Sequence, residues 1–144
     1  MTPQATKPFV KPAIKYAPMR ATNYILVTAD KGGVGKTATA VNLAAWLARL
    51  KHKVLLIDFD TRGDIATSFD LRPEPCIYDA YIREKDPKLI IRPTKYDRLF
   101  ILPGDNWTGD VVAILDRRPE ADNIVPLTQA LAQGFDFVIF DAPD

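Results

Sequence analysis

Seven consecutive residues, Lys31-Gly32-Gly33-Val34-Gly35-Lys36-Thr37, have the types needed to hold a phosphate chain. Glycines let successive backbone N–H groups turn inward around an anion, and a helix starting just after them would add the positive end of its dipole. Lys36 supplies a compact positive charge, and the Thr37 hydroxyl is a hard oxygen suited to Mg²⁺. Two further places offer carboxylates. Leu55-Leu56-Ile57-Asp58-Phe59-Asp60 is an apolar run ending in two acids, and Phe137-Val138-Ile139-Phe140-Asp141 is an apolar run ending in one. Two-residue alternation puts Asp58 and Asp60 on one side, where both can face a nucleotide's metal and attacking water. A flexible glycine loop and solvated acids at strand ends are the bland alternatives. The loop, the paired acids and the later acid, in that order, outweigh them.

These residues need a scaffold that gathers strand ends at one edge. Tyr24 to Thr28 reads as a strand buried on both faces, followed by the glycine loop. From Thr37 to Leu50 there is no Gly or Pro, and Ala40, Leu43, Ala44, Leu47 and Leu50 recur at helical spacing. Lys53 to Asp58 is a second buried strand, so strand, helix and strand form a right-handed parallel unit. Further on, Ile77 to Arg83 reads as a short amphipathic helix and Leu99 to Leu102 as a strand, with Leu89 to Ile91 apolar and of open type. Asp122 to Gly134 reads as a helix closed by its glycine, with Pro126 near its start, before the strand Phe135 to Asp141. The class is α/β, a mostly parallel sheet flanked by helices, whose ligands bind at the carboxyl ends of the strands.

Composition narrows the function classes. The 144 residues are 47% apolar and 26% charged with a net charge of +1, so no overall basic field points to nucleic acid and no acidic excess points to disorder. The first twenty residues hold Lys7, Lys11, Lys15 and Arg20 with no acid, leaving fifteen basic against eighteen acidic residues in the remainder. Pro3, Pro8, Pro12 and Pro18 interrupt that stretch, and residues 1–21 are expected to form a disordered basic extension ahead of a domain over 22–144. The tail is an inert linker or a contact for DNA or a partner through counterion release. Lone Cys76 excludes an internal disulfide framework and a multi-cysteine metal site. No apolar run reaches the length of a membrane span, so a cytoplasmic protein is expected. His52, Arg117-Arg118 and Arg83-Glu84-Lys85-Asp86 are expected as solvated surface residues, Trp46 and Trp107 as packing residues, and Cys76 as an inert thiol.

Position 30 is Asp where the general G-x-x-x-x-G-K-[ST] pattern has Gly, and Lys31 opens the glycine pair. In this deviant form the loop resembles that of the ParA and MinD class of P-loop ATPases, whose signature is K-G-G-x-x-K-[ST]. Leu55 to Thr67 resembles the second motif of that class, commonly I-D-x-D-P-Q-G-N-A-T, and Phe137 to Pro143 resembles its Walker B strand. Ile77-Tyr78-Asp79 and Leu99 to Gly104 echo the partition branch. The resemblance implies ATP and Mg²⁺ as cofactors, bound at Lys31, Gly32, Gly33, Val34, Gly35, Lys36, Thr37 and Ala38. It assigns the metal to Thr37, Asp58 and Asp141 and water orientation to Asp60, and it makes Lys36 and Lys31 the charges on the transferring phosphoryl group. Lys31 would reach the phosphates of a partner in an ATP-dependent homodimer.

By the same resemblance the cellular role is partition of plasmid or chromosomal DNA with a ParB-like centromere-binding adaptor. Departures from the pattern are Ala38 for a second Thr, Thr61-Arg62 for Pro-Gln and Asp64 for Asn. The class continues for roughly another hundred residues beyond the Walker B strand, including the adenine loop and the basic surface used for nonspecific DNA binding. A truncated member with exposed strand edges is therefore expected. Two rivals stand beside the partition ATPase: a catalytically inactive nucleotide-binding module, and a MinD-like positioning ATPase, whose C-terminal amphipathic helix has no counterpart here. The iron-protein branch needs two cysteines per subunit and is disfavoured by lone Cys76.

Overall fold

A computed structural model describes residues 21–117 and 124–143. The expected extension (described only at Ala21), Arg118 and the Asp122 helix start lie outside the described residues. Five strands form one sheet in the order β1-β5-β2-β4-β3. They are β1 (Asn23–Val27), β2 (Val54–Asp58), β3 (Arg92–Pro93), β4 (Leu99–Leu102) and β5 (Phe137–Asp141). All neighbours are parallel except β3 and β4. The fold class is the expected α/β one. The first strand–helix–strand unit is split, however, because β5 inserts between β1 and β2 and pairs with both.

Alternation along β2 builds two cores. Val54 and Leu56 join Leu99, Ile101 and Ile139 beneath α1 (Lys36–Arg49), while Leu55 and Ile57 join Leu102, Val138 and Leu131 on the other side. Small side chains let α1 lie close to the sheet: Ala40, Ala44 and Ala48 are buried, and Leu43 and Leu47 flank them. The second face is covered by α3 (Ile77–Tyr81), α4 (Pro87–Ile90) and α6 (Ile124–Ala132). Pro126 occupies the first turn of α6, where its missing N–H has no intrahelical partner, and Gly134 closes the turn at φ +83°.

Several expectations need correction. β1 is not buried on both faces: among the described residues it pairs only with β5, and Tyr24 and Leu26 stay 51% and 63% exposed. An apolar run reports strand character but not position in the sheet. Leu50 lies past the end of α1 and is exposed. Trp46 and Trp107 are not packing residues. Both are mostly exposed, Trp46 beneath the Arg49 guanidinium and Trp107 tilted against Tyr78. His52 is half-buried and packs edge-on against Phe137. Within the charged run, Arg83 and Lys85 are not simply solvated, since both pair with the buried Asp79 carboxylate at 3.1 and 2.8 Å.

Two helices escaped the sequence reading. α2 (Asp64–Ser68) is one short turn after the Asp60 loop, and α5 (Thr108–Arg117) begins beside Gly109, where turn residues mask its start. The Thr108 hydroxyl accepts the Asp105 N–H at 2.8 Å and organises that entry. No helix among the described residues is long and apolar enough to cross a membrane.

Candidate functional site

The loop leaving β1 turns into α1 through two left-handed glycines, Gly33 at φ +76° and Gly35 at φ +91°, with Gly35 as the N-cap. Side chains other than glycine rarely adopt this conformation, so the glycine spacing is a backbone requirement. Lys36 is the first helical residue and is buried, and Thr37 follows it, half-buried. Gly33, Gly35, Lys36, Thr37, Ala38, Arg62 and Asp64 line a cleft of about 230 Å³. Lys31, Gly32 and Val34 are exposed and do not line it. Two larger grooves lie elsewhere, of about 400 Å³ beside Tyr78 and Trp107 and about 520 Å³ beside Tyr24 and Gln133. Neither opens on a helix N-terminus bearing a lysine, so the smaller cleft is the one whose lining has the chemistry to hold a phosphate.

Parallel register places three strand ends together: Val27 pairs with Asp141, and Asp141 pairs with Asp58. The Thr37 hydroxyl donates to Asp141 Oδ2 at 2.6 Å across 104 residues of sequence. Asp141 Oδ1 is buried and has no hydrogen-bond partner among the described residues. Burial pushes the Asp141 carboxyl up, and the Thr37 hydrogen bond opposes that. No group of three or more His, Cys, Asp or Glu among the described residues forms a metal cage. Mg²⁺ does not need one. It keeps much of its hydration and takes one or two protein oxygens plus phosphates, so the unsatisfied Asp141 oxygen beside the Thr37 hydroxyl fits that ion.

Asp58 and Asp60 hold different environments. Asp58 is wholly buried, and its two oxygens accept the N–H groups of Asp60 at 2.9 Å and Ile65 at 3.3 Å. It therefore fixes the backbone of the loop as well as standing next to Asp141. Asp60 is also buried, with its carboxylate gripped by Arg62, whose Nε and terminal nitrogen donate at 3.2 and 2.8 Å. That pairing holds the Asp60 carboxyl below the usual range. Arg62 is a cleft residue that sequence reasoning registered only as a departure. Its sole signal was its place two residues after Asp60.

A second missed residue is Gly104, in the loop after β4. A Cβ there would stand 2.7 Å from the Asp58 carbonyl oxygen and 2.9 Å from that of Asp60. Gly63 approaches the same loop, where a Cβ would lie 2.7 Å from the Gly104 oxygen. Gly104→Ala is therefore expected to destabilise the protein by about 1–3 kcal/mol, since backbone rather than a flexible side chain must move. Thermal unfolding reads this as a Tm several degrees lower, and an unchanged Tm would show that the two loops do not touch.

Burial raises the Asp58 carboxyl to about 7, despite the two N–H donors, with Asp141 and Asp60 adding like charge. The folded state then keeps a proton that the unfolded chain has released. Stability contributed by this group falls as pH rises from about 4 to about 7 and levels off above, by an amount on the order of 4 kcal/mol. Urea unfolding of the nucleotide-free protein between pH 4.5 and 8 checks this. The wild-type minus Asp58→Asn difference should decline across that window, and a flat difference would contradict the shift. Cys76, by contrast, is buried, burial pushes its thiol up to about 12, and Asp79 Oδ2 accepts its backbone N–H at 3.1 Å, which places it as a structural rather than a surface thiol.

Comparison with known proteins agrees with this geometry. The AAA_31 family, described as an AAA domain, matches residues 22–144. The sporulation initiation inhibitor protein Soj of Bacillus subtilis is 32% identical over 123 residues, covering 83% of this chain and 49% of that protein. The septum site-determining protein MinD of Synechocystis is 32% identical over 132 residues, covering 83% and 44%. Among solved structures, cobyrinic acid a,c-diamide synthase from Mycobacterium smegmatis, with bound ATP analogue and magnesium, superposes with a TM-score of 0.75 at 27% identity, covering 85% of this chain and 52% of that one. The chain spans about half the length of the curated relatives it matches. On this similarity the chain belongs to the AAA_31 family and is of the ParA/MinD ATPase type, for which ATP and Mg²⁺ are the cofactors.

Proposed function

We propose that the protein binds Mg-ATP in the cleft at the exit of β1 and hydrolyses it as a switch, pairing with a second copy when ATP is bound. The observation that carries the reading is the Thr37–Asp141 contact beside an unsatisfied buried carboxylate oxygen, at the mouth of a glycine loop with a buried lysine. Backbone N–H groups of residues 33–37 and the Lys36 ammonium would hold the phosphates. Thr37 and Asp141, with Asp58 alongside, would hold Mg²⁺, which neutralises charge on the phosphates when bound. Asp60 would orient the water that attacks the γ-phosphorus, releasing ADP and inorganic phosphate. Positioning and charge do the work, with no covalent step on the protein. The exposure of Lys31 supports a residue that serves a partner's site.

The cellular reading is partition of plasmid or chromosomal DNA with a ParB-like adaptor, supported by the similarity to Soj. A MinD-like positioning role is the second reading, supported by equal identity to a MinD. Light scattering with a nonhydrolysable ATP analogue and with ADP, alongside phosphate release, tests the switch. A dimer with the analogue, a monomer with ADP and Lys36-dependent release are expected. Nucleotide binding without turnover would instead assign an inactive module, and co-sedimentation with DNA rather than anionic vesicles separates partition from a MinD-like role.

A further inference from the structure

We propose that Arg62 is a γ-phosphate sensor: it clamps Asp60 while the cleft lacks a triphosphate, and its guanidinium transfers to the γ-phosphate when ATP is bound, freeing Asp60 to accept from water. This rests on the ATP reading above. Arg62 lines the cleft together with Lys36 and Thr37, so it stands on the wall that a phosphate chain would meet. Its fork grips both Asp60 oxygens, at 3.2 and 2.8 Å. The Arg62 side chain and its backbone N–H together fill three of the roughly four acceptor positions on this carboxylate, so while the clamp holds, only one position on Oδ2 is left to accept from a nucleophile. A phosphate offers the same planar fork a pair of acceptors with more negative charge than a carboxylate, so exchange between them is chemically matched.

The burial of the two partners is unequal, and this sets which one moves. The Asp60 side chain is 9% exposed and the Arg62 side chain 56%, so the guanidinium can leave while the carboxylate stays. Asp60 also keeps a second tether, because the Arg62 backbone N–H donates to Oδ1 at 3.0 Å whatever the side chain does. The backbone of this loop is in turn backed by Gly104. Asp64 Oδ2 lies 3.8 Å from the Arg62 Nε, and Asp141 also feels the charge of this guanidinium. ADP lacks the phosphate that would compete, so the clamp would persist in the ADP state.

The test measures dissociation constants of the full chain for a nonhydrolysable ATP analogue and for ADP. Arg62→Ala is expected to weaken the analogue by about tenfold or more, the worth of one charge-assisted fork, while ADP changes by less than about threefold. Arg62→Lys should fall between, since it keeps charge but loses the fork. Asp60→Asn should tighten the analogue in the Arg62 background and lose that gain in the Arg62→Ala background. Equal loss for both nucleotides, no loss for either, or equal tightening by Asp60→Asn in both backgrounds would overturn the sensor. Tm of each variant confirms folding, and retention of the Lys intermediate argues against a merely structural effect. If Lys36→Ala leaves both affinities intact, the nucleotide site itself is wrong. If Lys36→Ala abolishes binding and Arg62→Ala leaves the ratio unchanged, only the sensor is.

Discussion

Alanine at position 36 is expected to lower affinity for Mg-ATP by about a hundredfold or more and to abolish turnover. Lys36 opens α1, is 6% exposed and lines the cleft, so its ammonium would meet bound phosphates where water is scarce and charge interactions are strong. Losing it leaves the triphosphate with the backbone N–H groups and the helix dipole alone. Lys36 also acts on the buried Asp60 and Asp141 carboxylates, so the Tm of the nucleotide-free variant is measured alongside to confirm that it folds. Thermal shift gives a second readout. Wild-type protein at a hundred times its dissociation constant gains about 2.7 kcal/mol, and the variant at the same ATP concentration should gain almost nothing. Equal shifts in the two proteins would remove Lys36 from the site.

Asp141→Ala is expected to separate function from stability. In the wild type, Mg²⁺ should strengthen ATP binding substantially, and the variant should lose about ten- to a hundredfold of that magnesium-dependent part. Its affinity in excess EDTA should stay near wild type. Without nucleotide the variant should be no less stable, because burial already disfavours this carboxylate and one of its oxygens has no partner among the described residues. Undiminished stability with a loss of binding is the mark of a group retained for its ligand. A large fall in Tm together with unchanged magnesium dependence would make Asp141 a structural acid instead. Calorimetric titration with and without Mg²⁺ decides between them.

The site was legible to the extent that residue type alone dictates chemistry. Gly33 and Gly35 had to be glycine for left-handed turns, and Lys36-Thr37 had to follow them at a helix start. The strand character of β2 was equally legible from its short apolar run ending in Asp58, and all five of its residues are buried. Sheet order was not. β1 and β2 read alike as apolar runs, yet β5 lies between them and β1 is at the edge of the sheet among the described residues, because pairing partners are chosen by three-dimensional crossover rather than by local pattern. Arg62 escaped for a related reason: a charged residue after a strand is ordinarily solvated, and only the folded loop shows its fork on Asp60. Asp58 and Asp60 were expected on one side, the first toward the metal and the second toward water, but the sequence did not show that backbone N–H groups satisfy the first and a guanidinium the second. Gly104 carries its information in a close approach to a segment forty residues earlier, which no spacing rule records.

The central claim is that the loop ending at Lys36-Thr37, with Asp141 behind it, holds a triphosphate and its cation. A crystal of the full chain grown with Mg²⁺ and a nonhydrolysable ATP analogue tests this most directly. The account predicts phosphates enclosed by the amides of residues 33–37, with the cation between the Thr37 hydroxyl and the free Asp141 oxygen. An analogue bound elsewhere, or a vacant cleft at saturating concentration, would contradict it.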